Sequence, residues 1–352
     1  MADSKNVRCD KKTADKSRPF FEQLAGRVEQ LKQSVETSPR IYHLEIAGHG
    51  LQLCFLNTDM NDYYAASLGY VLRKTPAEPE DIFYIWLDRI SDYVPDICDG
   101  NRRWFCHGDE ATITGSFESG YVSARHHDTN ITYLCMSSDH AYGNVFTSHP
   151  FVNEMNWWAR AHGLFLVHSA SAGIDGKGVL ISAFGGSGKT TLALACLLHG
   201  MEYVADDYLL LDQNKCRMAY PIYSTGYMLP DSLELLPQLK KYALGRNSEK
   251  KNKTIIDLSQ YFSQFAPSMD IKAIVLPVVS DHPEPSVERI PSTQPMMQMV
   301  YSTARQNREE KNAGFIRGLF ECIKGLPTYR INLSRNVFEN AALIKKLVNE
   351  LQ

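Results

Sequence analysis

The run Gly185-Gly186-Ser187-Gly188-Lys189-Thr190 is a glycine-rich turn ending in Gly-Lys-Thr, a combination suited to holding phosphate. Glycines let backbone N–H groups turn inward around an anion, and the start of a helix adds partial positive charge. In such a loop the lysine, here Lys189, reaches the β- and γ-phosphates of ATP, and the hydroxyl of Thr190 helps to hold Mg²⁺. Residues 185–190 together with Thr191 are therefore the candidate nucleotide-binding residues. The strict pattern G-x-x-x-x-G-K-[ST] would place glycine at 183, where this chain has Ala183; Gly185 and Gly186 supply turn freedom two and three places later. A glycine-rich strand-to-helix turn without a ligand is the alternative.

Three further groups could take part. Asp206-Asp207 follows the loop, and a carboxylate beside a phosphate loop can bind Mg²⁺ while its neighbour accepts a proton from an attacking hydroxyl. The alternative for such a pair is a solvated strand-end turn. His168 ends an apolar run ahead of the loop, where a histidine can be structural or catalytic. The basic segment from Arg246 to Lys253 could close over a triphosphate or an acidic peptide, or be a solvated loop.

These residues need elements to hold them. The apolar run Val179-Leu180-Ile181 leads into the loop as a strand, and residues 191–198 lead away as a helix stopping at Gly200. A strand over 164–168 precedes them, one continuous strand over 203–211 carries the Asp pair, and a further strand over 271–276 stops at Pro277. Ser148 and Pro150 open a helix through Phe151, Val152, Met155 and Trp158. Residues 214–268 read as irregular, and the C-terminus as helices near 294–305 and 311–325, an extended piece at 329–333 and a last helix from 336. Upstream, helical spacing of Phe21, Leu24, Val28 and Leu31 predicts a helix from Phe20 to about Val35. A hairpin over 42–55, a helix over 60–74, a strand over 82–87 and alternating segments between 103 and 137 follow. The expected organisation is a disordered tail over 1–17, an α+β domain with mostly antiparallel strands over 18–146, and an α/β domain over 147–352. Trp104, Tyr121 and Tyr133, if exposed, would make the N-terminal domain a site of acceptor recognition.

Composition narrows the function. The chain of 352 residues is 44% hydrophobic and 22% charged, as in a soluble globular protein of about two domains. A net charge of −3 leaves no basic excess for a phosphate backbone, so nucleic acid is not the expected partner. No apolar run is long enough to span a bilayer, the first residues lack a signal core, and the eight scattered cysteines form no C-x-x-C pair. The expectation is a cytoplasmic protein with reduced thiols and no membrane partner.

The stretch from His162 to Leu211 resembles the kinase domain of HPr kinase/phosphorylase, in which a histidine, a glycine-rich loop and an Ala-Asp-Asp segment follow one another. His168 stands twenty-one positions before Lys189, and Asp206 follows it by 17, intervals similar to those of that family. The resemblance implies a P-loop kinase core of the HPr kinase and phosphoenolpyruvate carboxykinase type behind an α+β N-terminal domain. It implies Lys189 on the phosphates, Thr190 and Asp207 toward Mg²⁺, Asp206 as catalytic base and His168 assisting. The family's phosphorylase-associated segment has no counterpart after Asp207, where the chain continues Asp212-Gln213-Asn214-Lys215-Cys216. The full layout, with Leu326-Pro327-Thr328-Tyr329 near its end, resembles a diverged HPr kinase-like group, some of whose members phosphorylate a serine on ribosomally made peptides such as lasso-peptide precursors. The activity so implied is Mg·ATP-dependent phosphorylation of a serine on a peptide or protein. Hexamers are familiar among HPr kinases, which makes a homo-oligomer a further expectation. Two other readings remain: a kinase of a small hydroxylated metabolite, and a nucleotide-binding switch without catalysis.

Overall fold

A computed structural model describes residues 7–8, 11–34, 38–75, 78–93, 103–107, 111–117, 119–137, 149–182, 187–215, 217–247, 252–307 and 312–351. Gly185 and Gly186, with Ala183, fall outside the described residues, as do residues 248–251 of the basic segment and residues 1–6, 9 and 10 of the expected tail. The described residues form a mixed α/β structure with three sheets, and the chain divides into two compact units, residues 1–62 with 72–147 and residues 63–71 with 148–352.

The first unit contains β1 (Val7–Arg8), α1 (Lys11–Lys32), β2 (Arg40–Ile46), β3 (His49–Phe55), β4 (Leu72–Arg73), β5 (Asp81–Leu87), β6 (Arg103–His107), β7 (Ala111–Ser116), β8 (Tyr121–His126) and β9 (Ile131–Met136). Its nine strands run in the order β1-β6-β7-β8-β9-β5-β3-β2-β4. β6 to β9 pair antiparallel, as do β2 with β3 and β4, whereas β3, β5 and β9 run parallel at the centre and β1 joins β6 in parallel at one edge. Phe20, Phe21, Leu24, Val28 and Leu31 of α1 are buried against Trp86, Ile113, Val122 and Cys135. That docking carries the helix back to Lys11, so residues 11–17 are helical where a tail is expected. Tyr121 and Tyr133 are buried, Tyr133 in this same core, and so offer no acceptor surface; the Trp104 side chain lies outside the described ones.

α2 (Asp62–Leu68) ends six residues short of the helix expected over 60–74, because Gly69 and Tyr70 turn the chain into β4. Residues 63–71 pack with the second unit, where Ser224 Oγ donates to the Ala66 carbonyl at 2.8 Å. That unit continues with α3 (Val152–Ala161), β10 (Leu164–Val167), β11 (Ala170–Ile174), β12 (Lys177–Ile181), α4 (Lys189–Leu198), β13 (Glu202–Tyr203), β14 (Leu209–Asp212), β15 (Met218–Tyr220), β16 (Thr225–Met228), α5 (Pro230–Leu235), β17 (Ala243–Asn247), β18 (Lys253–Asp257), β19 (Met269–Val279), β20 (Ser286–Ile290), α6 (Thr293–Gln306), α7 (Ala313–Ile323), β21 (Thr328–Leu333) and α8 (Val337–Glu350).

The main sheet runs β10-β14-β15-β19-β12-β11-β13, with β21 and β20 continuing beyond β19. Strand alternation feeds two cores. Val179 and Ile181 of β12 and Ala273 and Val275 of β19 pack with α4 and α8, whereas Leu180 and Ile274 pack with α6 and α7. Helices therefore cover both faces, as buried parallel strands require; β12, β19 and β21 run parallel. Pro277 does not end β19: β12 stops pairing at Val275, so the missing N–H costs no ladder bond there, and β19 continues beside β21 to Val279. Part of the segment expected to be irregular forms a three-stranded sheet, β16-β18-β17.

The strand expected over 203–211 is two strands. β13 pairs with β11, while β14 pairs with β10 on the other side of the sheet order, and residues 204–208 cross between them. Asp206 and Asp207 occupy this crossing, where side chains are not bound to strand alternation.

Candidate functional site

The site lies where β12 ends and α4 begins. α4 is apolar on every face from Leu192 to Leu197, so it is buried whole, between β11, α8 and β16, and its start is fixed. Gly188 caps it at φ +89° and, having no side chain, makes no cap hydrogen bond. A Cβ at Gly188 would stand 2.7 Å from Leu333 Cδ1, so glycine is required there both by backbone and by space. The first N–H groups of a helix lack intrahelical acceptors, which leaves an uncapped start with donors and partial positive charge for an anion.

Lys189, the first helical residue, is 9% exposed and turns its ammonium to the Asp crossing. Its Nζ donates to the Asp206 carbonyl at 2.8 Å and to Asp207 Oδ1 at 2.5 Å. His168, just past β10, places Nε2 2.9 Å from the same Oδ1. Its Nδ1 lies 3.3 Å from the Ser302 hydroxyl. The His168 backbone N–H donates to Thr303 Oγ1 at 3.2 Å, which fixes the residue against α6. Lys189, Asp207 and His168 thus meet at one oxygen.

The two aspartates have different surroundings. Asp207 lines a cavity of about 1300 Å³ together with His149, His168, Gly188, Lys189, Thr190 and Thr191. Burial pushes its carboxyl up, but Lys189, the His168 hydrogen bond and the charges of His168 and His149 hold it well below the usual carboxylate range. Asp206 is 2% exposed and does not line the cavity. Burial raises its pKa, the Asp207 charge adds to the rise, and Lys189, the Thr190 hydroxyl and the Tyr227 N–H at 3.0 Å oppose it. Asp206, the expected base, therefore does not face the cavity, whereas Asp207 does. Asp206 Oδ1 is buried without a hydrogen-bond partner. An orphaned carboxylate oxygen beside the Thr190 hydroxyl fits a hard divalent cation with oxygen ligands.

His149 is a residue that sequence patterning misses. It stands outside any motif, in the turn before α3, and is 7% exposed. Its ring lies 5.0 Å from Tyr208 and 5.1 Å from Tyr223 between centroids, and its Nε2 is 3.8 Å from Asp207 Oδ2. Tyr223 hydroxyl donates to the Pro150 carbonyl at 2.8 Å and so holds this turn in place. Two imidazoles therefore flank one carboxylate, His168 on Oδ1 and His149 on Oδ2. Of the basic run, Lys253 reaches the cavity wall, its Nζ 4.5 Å above the Tyr227 ring. Ser187 is described at the turn before Gly188 but is not among the lining residues.

No family model and no curated protein matches this chain. Among solved structures, the chain is similar to the HPr(Ser) kinase/phosphatase from Coxiella burnetii, at 18% identity over 53% of this chain and 94% of that one, with a TM-score of 0.28. The functional reading rests on the site's own geometry. Among the described residues no helix is long and apolar enough to cross a membrane.

Proposed function

We infer that this protein is a P-loop phosphotransferase of the HPr kinase-like kind, moving the γ-phosphoryl of Mg·ATP to a hydroxyl, with a serine of a peptide or protein as acceptor. One observation carries the reading: a lysine at the uncapped start of a buried helix shares a cavity-facing carboxylate with a histidine. A nucleotide-binding switch needs the helix start and the lysine, but not an ionised carboxylate held by imidazoles on the wall of the same cavity.

The residues divide the work as follows. The N–H groups at the start of α4 and the Lys189 ammonium take the phosphates. Thr190 and Asp206 would hold Mg²⁺, which supplies neutralisation of the charge that develops as the phosphoryl leaves. Asp207 receives the proton of the acceptor hydroxyl, and His168 orients its carboxylate through Oδ1. When phosphate draws Lys189 away, Asp207 loses its largest stabilising charge, so its proton affinity rises as substrate binds. This exchanges the expected roles of the two aspartates. A cytoplasmic location and a homo-oligomeric state belong to the same reading, supported by the family resemblance.

Incubation with γ-labelled ATP, Mg²⁺ and serine-containing peptides tests the reading. Label on serine supports it; label only on a small hydroxylated metabolite, or tight nucleotide binding with no transfer to any acceptor, removes it.

A further inference from the structure

We propose that the cavity-facing stripe of α6 reads the acceptor, and that Arg305 within it selects a peptide carrying an acidic residue close to the phosphorylated serine. The proposal rests on the phosphotransfer reading above and adds the chemistry of the second substrate.

α6 has two faces. Met296, Met299, Val300 and Ala304 are buried in the core shared with α7. Gln294, Gln298, Tyr301 and Arg305, spaced three or four apart, line the cavity instead. Tyr301 is 52% exposed, too open for a structural packing role. The C-terminal half of α6 is anchored at the chemistry, because Ser302 and Thr303 both contact His168. Arg305 follows Ser302 by one turn on the same stripe, so it borders the place where a hydroxyl meets Asp207.

The nucleotide does not account for this wall. Gly188 packs against Leu333 and Val279, which puts the ends of β21 and β19 beside the phosphate-binding turn. In-line transfer places the acceptor oxygen on the opposite side of the γ-phosphoryl. A pocket for one small ligand or cofactor has a volume of roughly 300–1,000 Å³. The present cavity, at about 1300 Å³, has room for a second substrate. Its walls carry large apolar side chains that nothing covers among the described residues, Leu235 at 46% exposure as well as Tyr301. An open apolar rim suits a chain segment better than a small metabolite. Charge sets which segment. Arg305 and Lys253 line the cavity without an ionic partner among the described residues. The acids on the walls other than Asp207 are Asp231 of α5 and Asp281 just past β19. A guanidinium beside the acceptor position pairs with a carboxylate in a bidentate fork.

The test uses full-length protein and three pools of fluorescein-labelled serine-centred peptides, with Asp/Glu, Ala, or Lys/Arg flanking the serine. Anisotropy in Mg·ADP measures binding, and γ-labelled ATP measures transfer in parallel. The acidic pool binds about tenfold or more tighter than the basic pool, the scale of one close charge pair at an interface, and Arg305→Glu inverts the order. Inversion also shows that the variant is folded. Equal binding of all pools overturns the proposal, as does an Arg305→Glu variant that keeps the wild-type order while raising KM for ATP. Free serine or glycerol displacing the peptides at equal concentration assigns the cavity to a metabolite and overturns it as well. Transfer to peptide without charge preference removes the α6 proposal alone. Charge-inverted binding with no transfer upholds the peptide subsite and removes the kinase reading.

Discussion

Asp207→Asn and Asp206→Asn make a paired experiment on which aspartate does what. Asparagine keeps the size of Asp207 and can still meet Lys189 and His168, but it cannot take the acceptor proton. Loss of a general base lowers turnover by about 10²–10⁴-fold. At 1.36 kcal/mol per tenfold, that is ~2.7–5.5 kcal/mol of barrier. Mg·ATP affinity does not weaken, because the variant frees Lys189 from the 2.5 Å ion pair that competes with phosphate. Asp206→Asn acts differently. It removes the buried charge next to Thr190, and loss of such a metal-supporting group costs about 10–100-fold in metal affinity. The Mg²⁺ concentration for half-maximal activity therefore rises in Asp206→Asn and stays put in Asp207→Asn. Steady-state transfer from labelled ATP across an Mg²⁺ titration reads both quantities. An Asp207→Asn enzyme within about tenfold of wild type, below the range for a lost base, refutes the assignment, as do identical Mg²⁺ profiles for the two variants.

Three predictions concern the scaffold. Gly188→Ala forces a left-handed residue against Leu333 Cδ1, a backbone cost of about 1–3 kcal/mol, and it lowers Mg·ATP affinity measured by calorimetry while circular dichroism stays native. Asp81→Ala in the first unit strips the partner from Arg125, whose Nη2 lies 2.6 Å from Asp81 Oδ1 with both side chains buried, and costs about 3–5 kcal/mol in urea unfolding; a joint apolar replacement of both residues costs less. Asp88 is held below the usual carboxylate range: burial raises it, but hydrogen bonds from Tyr93 and the Arg89 N–H and the Arg27 ion pair outweigh that. Its folded pKa lies below its unfolded one, so its stabilisation is present above the unfolded pKa and is lost as pH falls through the folded one. Asp88→Asn therefore destabilises the protein at neutral pH and makes melting temperature less steep with pH on the acid side.

Local pattern carried the loop helix, the flanking strands and the chemistry-bearing types at Lys189, Thr190, His168 and the Asp pair, because each depends on spacing within a short stretch. It failed where partners far along the chain decide. The segment 203–211 is apolar enough for one strand, but β11 claims its start and β10 its end, and the crossing between them separates the environments of Asp206 and Asp207. Pro277 looks like a stop until β12 is seen to end at Val275. Tyr121 and Tyr133 look available because alternation marks a face without saying what covers it; both are buried, and α1 covers Tyr133. His149 has no local signature at all; only the fold brings it to Asp207 from a turn near the unit boundary.

The central claim is that the start of α4 with Lys189 is a nucleotide phosphate site. Calorimetric titration of Mg·ATP into wild-type protein and Lys189→Ala tests it most directly. The account predicts saturable 1:1 binding by the wild type that Lys189→Ala weakens severely while remaining folded. Absence of binding by the wild type, or equal binding by both proteins, contradicts it.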